Sequence, residues 1–266
     1  MELQGRATEL ARAGRTIVAL SYDPPEVLRK FATAHGITFP LLSDTGSAII
    51  RRYGLLNTSV APGDRAYGVP HPGTFVLDGK GRIVARHFEE NYRERNTASS
   101  IIARTGGVDA SRSASGTTTV STPHLSLVVY PSDDMIAPGS RFSLILEVTP
   151  GPGMHVYAPP QDSYRAIALA MTPREDVVLH PMTFPEAETY HFAPLNERVQ
   201  VYQRPFRLIQ DLTLSVTPAT RALASEPGAR IRLEGRLEYQ ACDDKVCYLP
   251  QSIPVAWTIA LRPLVR

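Results

Sequence analysis

Tyr239-Gln240-Ala241-Cys242-Asp243-Asp244-Lys245-Val246-Cys247-Tyr248-Leu249-Pro250 holds both cysteines of this 266-residue chain, with four residues between them. Before it, residues 231–239 alternate apolar and polar side chains. After it, Ile253, Val255, Trp257, Ile259 and Leu261 resume the alternation. Period-two patterning of this kind marks half-buried strands. A short loop between antiparallel strands sets the two cysteines opposite each other. Opposed strand residues have Cα atoms about 4.5–5.5 Å apart, a separation that a disulfide accepts. The pair is therefore placed to bond, and the question is whether it is a staple or a reagent.

As a staple it is weak. Loop-entropy stabilisation grows with loop length, and about six residues are worth only about 2 kcal/mol. A sandwich of about 140 residues does not depend on that. Half of a metal site is a third reading, but a zinc site needs further ligands and the chain has no second cysteine pair. No metal or cofactor is expected. Asp243 and Asp244 disfavour a nearby thiolate and Lys245 favours one, so the expectation is no strongly acidic thiol. That suits a pair exchanging with an already activated partner cysteine.

Composition sets the frame. With 43% hydrophobic and 20% charged residues, the chain is globular and long enough for two medium domains. A formal charge of +2 and the lack of basic runs interleaved with aromatics argue against a nucleic-acid partner. No apolar run approaches the roughly 20 residues of a membrane helix. The first residues, Met1-Glu2-Leu3-Gln4-Gly5-Arg6, carry no signal-peptide core.

Residues 2–13 read as a helix closed by Gly14, and residues 16–22 as a buried parallel strand. Asp23, with Glu26 three positions on, reads as a capping box for a helix ending at Gly36. Residues 39–42 form a short strand, and Asp44 caps a helix with Ile49, Ile50 and Tyr53 inward. Residues 74–77 and 82–88 make a hairpin around Asp78-Gly79-Lys80-Gly81, and residues 93–104 a last helix. This order describes a small α/β layer. Residues 106–123, rich in Gly, Ser and Thr, read as a flexible linker. Beyond it come eight candidate strands, at 125–130, 141–149, 155–157, 167–172, 177–180, 206–214, 231–242 and 250–261. They suggest an antiparallel sandwich, with no helix expected between 125 and 266.

Residues 16–23 and 39–44, and above all Pro72-Gly73-Thr74-Phe75-Val76-Leu77-Asp78-Gly79-Lys80-Gly81, resemble the redoxin branch of the thioredoxin superfamily, the peroxiredoxin-like AhpC/TSA proteins. The likeness covers residues 1–105. It implies an α/β thioredoxin-like domain and makes Pro72 the counterpart of a proline that faces the redox cysteine and is often cis. The family's nucleophilic cysteine sits at a helix N-terminus, where the dipole lowers its pKa. This chain has no cysteine before Cys242, and the family's first strand is unmatched too. The expectation is a redoxin domain incomplete at its N-terminus. The arginine usual near the Thr-Phe strand is also unmatched, with His71, Pro72 and Gly73 there instead.

Residues 124–266 resemble the N-terminal domain of DsbD-type thiol:disulfide interchange proteins, an all-β immunoglobulin-like sandwich. The likeness rests on Tyr239-Gln240-Ala241-Cys242 and Cys247-Tyr248-Leu249-Pro250, with support from Gly153-Met154-His155-Val156-Tyr157 and residues 201–206. It implies that Cys242 and Cys247 are redox-active and pass electrons to or from a thioredoxin-like or DsbD-like partner. It also implies a cap loop, for which residues 185–194 with Tyr190 and Phe192 are the candidate. The likeness points to the periplasm, as does the preference of disulfide chemistry for oxidising compartments.

Other residues carry blander readings. His35 ends a helix, His71 lies beside Pro72, and His155, His180 and His191 show no ligand spacing. Residues 89–90 and 93–95 look like a solvated helix entry. Gly151-Pro152-Gly153 is a turn, Asn57-Thr58-Ser59 a glycosylation triplet too common to weigh, and Trp257 core. The expected function is a thiol-disulfide oxidoreductase working through Cys242 and Cys247. Two rivals stay open: a non-catalytic binding module with a structural disulfide, and a peroxiredoxin-type antioxidant whose active cysteine lies upstream.

Overall fold

The computed structural model describes residues 2–12, 14–64, 67–88, 95–104, 116–160, 163–192 and 196–264. The chain divides into two compact units, Met1–Ala110 and Ser111–Arg266.

In the first unit the expected N-terminal helix is broken into α1 (Glu2–Gly5) and α2 (Ala7–Arg12). Strand β1 (Ala19–Ser21) and β2 (Leu41–Ser43) pair in parallel. Between them runs α3 (Pro25–His35), which ends where Gly36 turns left-handed at φ 59°. There the cap N–H groups reach the Ala32 and Thr33 carbonyls. The capping box expected of Asp23 does not form. The N-cap position is Pro24, with no side-chain cap bond, and Asp23 stands one residue upstream, accepting from the Ser21 hydroxyl at 2.6 Å.

The N-cap position of α4 (Ala48–Arg52) is Ser47 rather than the expected Asp44, but the Asp44 carboxylate still serves the helix start, accepting from the Ala48 and Ile50 amides at 3.0 and 2.9 Å. The antiparallel pair β3 (Gly73–Leu77) and β4 (Ile83–Phe88) follows. Gly73 lies opposite Phe88, whose ring occupies the space a Cβ would need, at 1.9 Å. Only glycine fits at that step. The cis bond expected at Pro72 is not found: among the described residues the cis peptide is Pro159–Pro160. His71 instead donates its amide to the Leu55 carbonyl at 2.7 Å, which holds the backbone leading into β3. Strand β5 (Arg95–Asn96) and helix α5 (Ala98–Arg104) close the unit. The expected helix start at residues 93–94 and the acidic pair at 89–90 lie outside the described residues.

The second unit is almost all strand. Residues 106–115 of the expected linker lie outside the described residues, but its last part is ordered as β6 (Thr118–Ser121). The β-branched run there pairs with β7 (Leu125–Pro131) as an edge strand. The remaining strands are β8 (Met135–Ile136), β9 (Ser140–Pro150), β10 (His155–Tyr157), β11 (Ala168–Met171), β12 (Val177–Leu179), β13 (Glu188–Phe192), β14 (Glu197–Tyr202), β15 (Phe206–Leu214), β16 (Arg230–Tyr239), β17 (Ala241–Cys242) and β18 (Gln251–Leu261).

One sheet runs β12-β15-β9-β7-β6 and a second β11-β16-β18-β8. Their inward side chains meet in one core that holds Leu127, Phe142, Leu144, Leu146, Leu208, Leu212, Leu233, Leu237, Trp257 and Ile259. All eight expected strands are present. The helix not expected here is α6 (Pro218–Ser225), set by a reciprocal capping box between Thr217 and Thr220 with proline in its first turn.

A third sheet, β13-β14-β10-β17, positions the cysteines. Strand β16 pairs with β18 along its whole length, ending at Tyr239↔Gln251. After Gln240 the chain leaves that sheet, and β17 pairs with β10 instead, at His155↔Cys242 and Val156↔Ala241. Phe142 is fully buried at the centre of the sandwich. Replacing it with alanine is expected to lower the unfolding free energy of this unit by about 3–5 kcal/mol. Guanidinium titration followed by the fluorescence of Trp257, the single tryptophan, would show it as a lower midpoint. An unchanged midpoint would contradict the core assignment.

Candidate functional site

The site grows out of the corner where the chain changes sheets. Tyr239 is fully buried, and its hydroxyl reaches Thr122 Oγ1 at 3.1 Å. The next residue, Gln240, pins the turn from both ends of its amide. Its oxygen accepts from the Arg165 N–H at 3.0 Å, and its nitrogen donates to the Tyr248 carbonyl at 3.0 Å.

Between these anchors the chain folds back on itself. Cys242 and Cys247 form an isolated antiparallel bridge, with their Cα atoms 4.1 Å apart and their sulfurs bonded to each other. Asp243 builds the turn: its Oδ1 accepts from the Lys245 and Val246 amides at 2.8 and 2.6 Å, and its Oδ2 from the Tyr248 hydroxyl at 3.1 Å. The Val246 and Lys245 amides hold its carboxyl below the usual carboxylate range. The charge that the sequence set against a thiolate is thus engaged in shaping the loop.

The two sulfurs are not equivalent. Cys242 is 1% exposed and packs in a small cluster with Tyr157, Val199 and Val201. Cys247 is exposed, flanked by Val246 at 50% and Leu249 at 81% exposure.

Strand β10 supplies what lies against the bond. Tyr157 places its hydroxyl 3.1 Å from Cys242 Sγ and 3.4 Å from Cys247 Sγ. Disulfide sulfurs carry no proton, so the hydroxyl is the donor. Burial pushes its pKa well above the phenol range, and the neighbouring Tyr164 and Glu197 add to this, so it remains a donor at any working pH. The Tyr164 ring stacks on Tyr157 at 4.2 Å and 5°, and its own hydroxyl donates to Glu197 Oε2 at 2.6 Å. On the other side, His155 meets Tyr157 edge-on at 5.6 Å and Tyr190 at 4.6 Å.

The segment expected to be a cap loop, residues 185–194, is largely strand β13. Its Tyr190 packs against the cysteine cluster and its Phe192 is half-buried, while residues 193–194 lie outside the described residues.

Both cysteines are plain in the sequence, whereas His155 shows no ligand spacing there and Tyr157 stands only within the supporting segment 153–157. The signal was present: residues two apart on a strand share a face, so both point where Cys242 does. The other histidines have local partners. His35 packs on Phe31, His180 meets Thr213 Oγ1 at 2.8 Å, and His191 meets Asn196 Oδ1 at 3.1 Å. Asn57 accepts from the Ser59 amide and hydroxyl. Trp257 is core.

Pro72 and His71 sit far along the sequence from the cysteines. Within the first unit they line a cleft of about 450 Å³ with Ser21, Tyr22, Asn57 and Arg95. Among the described residues no group of three or more His, Cys, Asp or Glu side chains is placed to hold a metal ion. No helix among them is long and apolar enough to cross a membrane.

Comparison with known proteins divides the chain in the same way. Residues 1–86 match the AhpC/TSA family, and residues 128–256 match the family described as "Thiol:disulfide interchange protein DsbD, N-terminal". A putative peroxiredoxin of Mycobacterium tuberculosis (strain ATCC 25618 / H37Rv) is 36% identical over 80 residues, which is 30% of this chain and 50% of the relative. The peroxiredoxin Bcp of Escherichia coli (strain K12) is 29% identical over 94 residues, 35% of this chain and 58% of that one. The chain thus spans about half the length of the curated relatives it matches.

Among solved structures, the N-terminal periplasmic domain of ScsB from Proteus mirabilis aligns at 17% identity with a TM-score of 0.38, covering 56% of this chain and 52% of that one. The reduced DsbD N-terminal domain of Neisseria meningitidis aligns at 17% identity with a TM-score of 0.30, covering 45% and 78%. The first unit thus carries the thioredoxin-like AhpC/TSA match, and the second is an immunoglobulin-like sandwich that carries the match to the DsbD N-terminal family.

Burial holds His155 below the usual imidazole value, and the Asp243 charge only partly opposes this. The unfolded chain therefore takes up a proton near pH 6.5 that the folded chain resists. The stability contributed by neutral His155 is present above pH 6.5 and falls as the pH drops below it. His155→Phe keeps the ring contacts and removes the titration. Urea unfolding between pH 5 and 8 is expected to give a shallower pH slope for this variant than for the natural chain. Identical slopes would contradict the assignment.

Proposed function

We propose that the chain is a thiol-disulfide oxidoreductase in which Cys247 is the sulfur that exchanges with the partner and Cys242 the one that leaves and returns. The observation that carries this is the asymmetry of the pair: one sulfur-bearing residue is exposed and the other buried beside a hydroxyl donor.

A partner thiolate attacks Cys247 Sγ in line with the disulfide. The Cys242–Cys247 bond breaks, its electron pair passes to Cys242 Sγ, and a mixed disulfide joins the partner to Cys247. The Tyr157 hydroxyl already points at Cys242 Sγ, so it meets the charge where it develops. The partner's second thiolate then attacks its own sulfur in the mixed disulfide and releases the Cys247 thiolate. This chain gains two electrons and the partner becomes a disulfide. The same steps run backwards when the dithiol form reduces an acceptor.

The likeness to DsbD N-terminal domains supports a thioredoxin-like partner, and the exposed Val246 and Leu249 beside Cys247 give that partner's apolar active-site rim something to cover. The peroxidase chemistry of the first unit's relatives finds no thiol in that unit, since both cysteines of the chain lie in the second.

Single-cysteine variants separate the two roles. Cys242→Ser leaves Cys247 free and is expected to react readily with Ellman's reagent. Cys247→Ser leaves only the buried thiol, which reacts about tenfold or more slowly because it must wait for local opening. Both variants lose the same disulfide, so the comparison is fair, and equal rates would sink the assignment of roles.

Tyr157→Phe removes the donor to the leaving sulfur. A hydrogen bond to a charged group is worth about 1.5–3 kcal/mol, so reduction of the disulfide by dithiothreitol is expected to slow about 10- to 100-fold. An unchanged rate would leave Tyr157 as mere packing.

A further inference from the structure

Resting on this exchange reading, we infer that Tyr164 and Glu197 are positioning residues that hold the Tyr157 hydroxyl on the two sulfurs. Tyr164 lies in the connection between β10 and β11 and is only half-buried, so nothing in a ladder fixes its ring. Its backbone neighbourhood is tied to the site twice. The Arg165 amide donates to Gln240 Oε1 at 3.0 Å and the Ile167 amide to the Tyr157 carbonyl at 2.8 Å.

The side chain itself is fixed by Glu197, at the start of β14, through a hydrogen bond of 2.6 Å to a carboxylate oxygen. Such charge-assisted bonds are the strong ones. Held there, the Tyr164 ring lies flat on Tyr157 and closes that face of it.

The bond to Glu197 also commits the Tyr164 proton outward, away from the Tyr157 oxygen beside it. The Tyr164 oxygen is thereby free to accept from the Tyr157 hydroxyl, which it holds beside both sulfurs until the disulfide opens. As the disulfide opens, Cys242 Sγ becomes an anion and the strongest acceptor within reach of that hydroxyl, already 3.1 Å away. The other groups around the Tyr157 ring are His155, edge-on at 5.6 Å, and Tyr190 beyond it. Among the described residues, neither makes a hydrogen bond to Glu197 or Tyr164. The clamp therefore links a carboxylate at the half-buried start of β14 to the buried leaving sulfur through two stacked phenols.

The test is a double-mutant cycle on the full chain, read as the rate constant for disulfide reduction by dithiothreitol. Tyr164→Phe keeps the stacked ring and loses the bond to Glu197, and it is expected to slow reduction about fivefold. In a Tyr157→Phe background the same change is expected to add nothing, because the hydroxyl it positions is gone. Glu197→Ala should match Tyr164→Phe, and Glu197→Gln, whose amide oxygen still accepts, should recover most of the lost rate. No slowing in Tyr164→Phe, or equal slowing in both backgrounds, would overturn the positioning role while leaving the exchange reading intact. A natural disulfide that dithiothreitol opens only once the chain is unfolded would overturn the exchange reading itself.

Discussion

The strand change at Gln240 is the constraint on which the site depends. Strand β16 is committed to one sheet through ten ladder positions, down to Tyr239↔Gln251. Two residues later the chain is paired with β10 in another sheet. Such a corner leaves backbone groups that ladders no longer serve, and buried backbone polar groups need partners. The Gln240 side chain serves two of them, the Arg165 amide and the Tyr248 carbonyl. Tyr239, buried at the edge of the core, anchors the corner from below. With the corner fixed, Cys242 faces inward against β10 and the turn carries Cys247 outward.

That geometry favours the proposed reagent over the staple. A bond closing so short a loop contributes only about 2 kcal/mol through chain entropy, while the sandwich core around Phe142 and Trp257 is continuous without it. A bond kept only for stability gains nothing from one exposed end or from a phenol aimed at both sulfurs. A bond meant to exchange needs access at one sulfur and stabilisation of charge at the other, and both are present.

Much of this was legible in the sequence. Clean alternation from residue 231 to 239 and from 253 to 261 gave the hairpin, because one face of each strand is buried and period two records it. The cysteine pair was legible because two opposed strand positions must meet. What failed were features decided by tertiary contacts. Asp23 has cap chemistry, but the proline pair after it shifts the helix start downstream. Residues 118–121 look like linker by composition and become strand because β7 offers an open edge. The Thr217-Pro218-Ala219-Thr220 run was a readable helix start that the surrounding strand pattern hid. Tyr164 and Glu197 are 33 residues apart in sequence, and no local pattern shows that they meet.

The two units match different families: the first, similar to AhpC/TSA proteins, holds a cleft around His71 and Pro72, and the second, similar to DsbD N-terminal domains, holds both cysteines. The reduction potential of the Cys242–Cys247 couple measures the central claim most directly. Equilibrating the full chain in dithiothreitol and glutathione redox buffers and counting thiols gives it. The account predicts a potential above about −300 mV, within reach of thioredoxin-like proteins. A value well below about −300 mV would mark a structural disulfide and contradict the account.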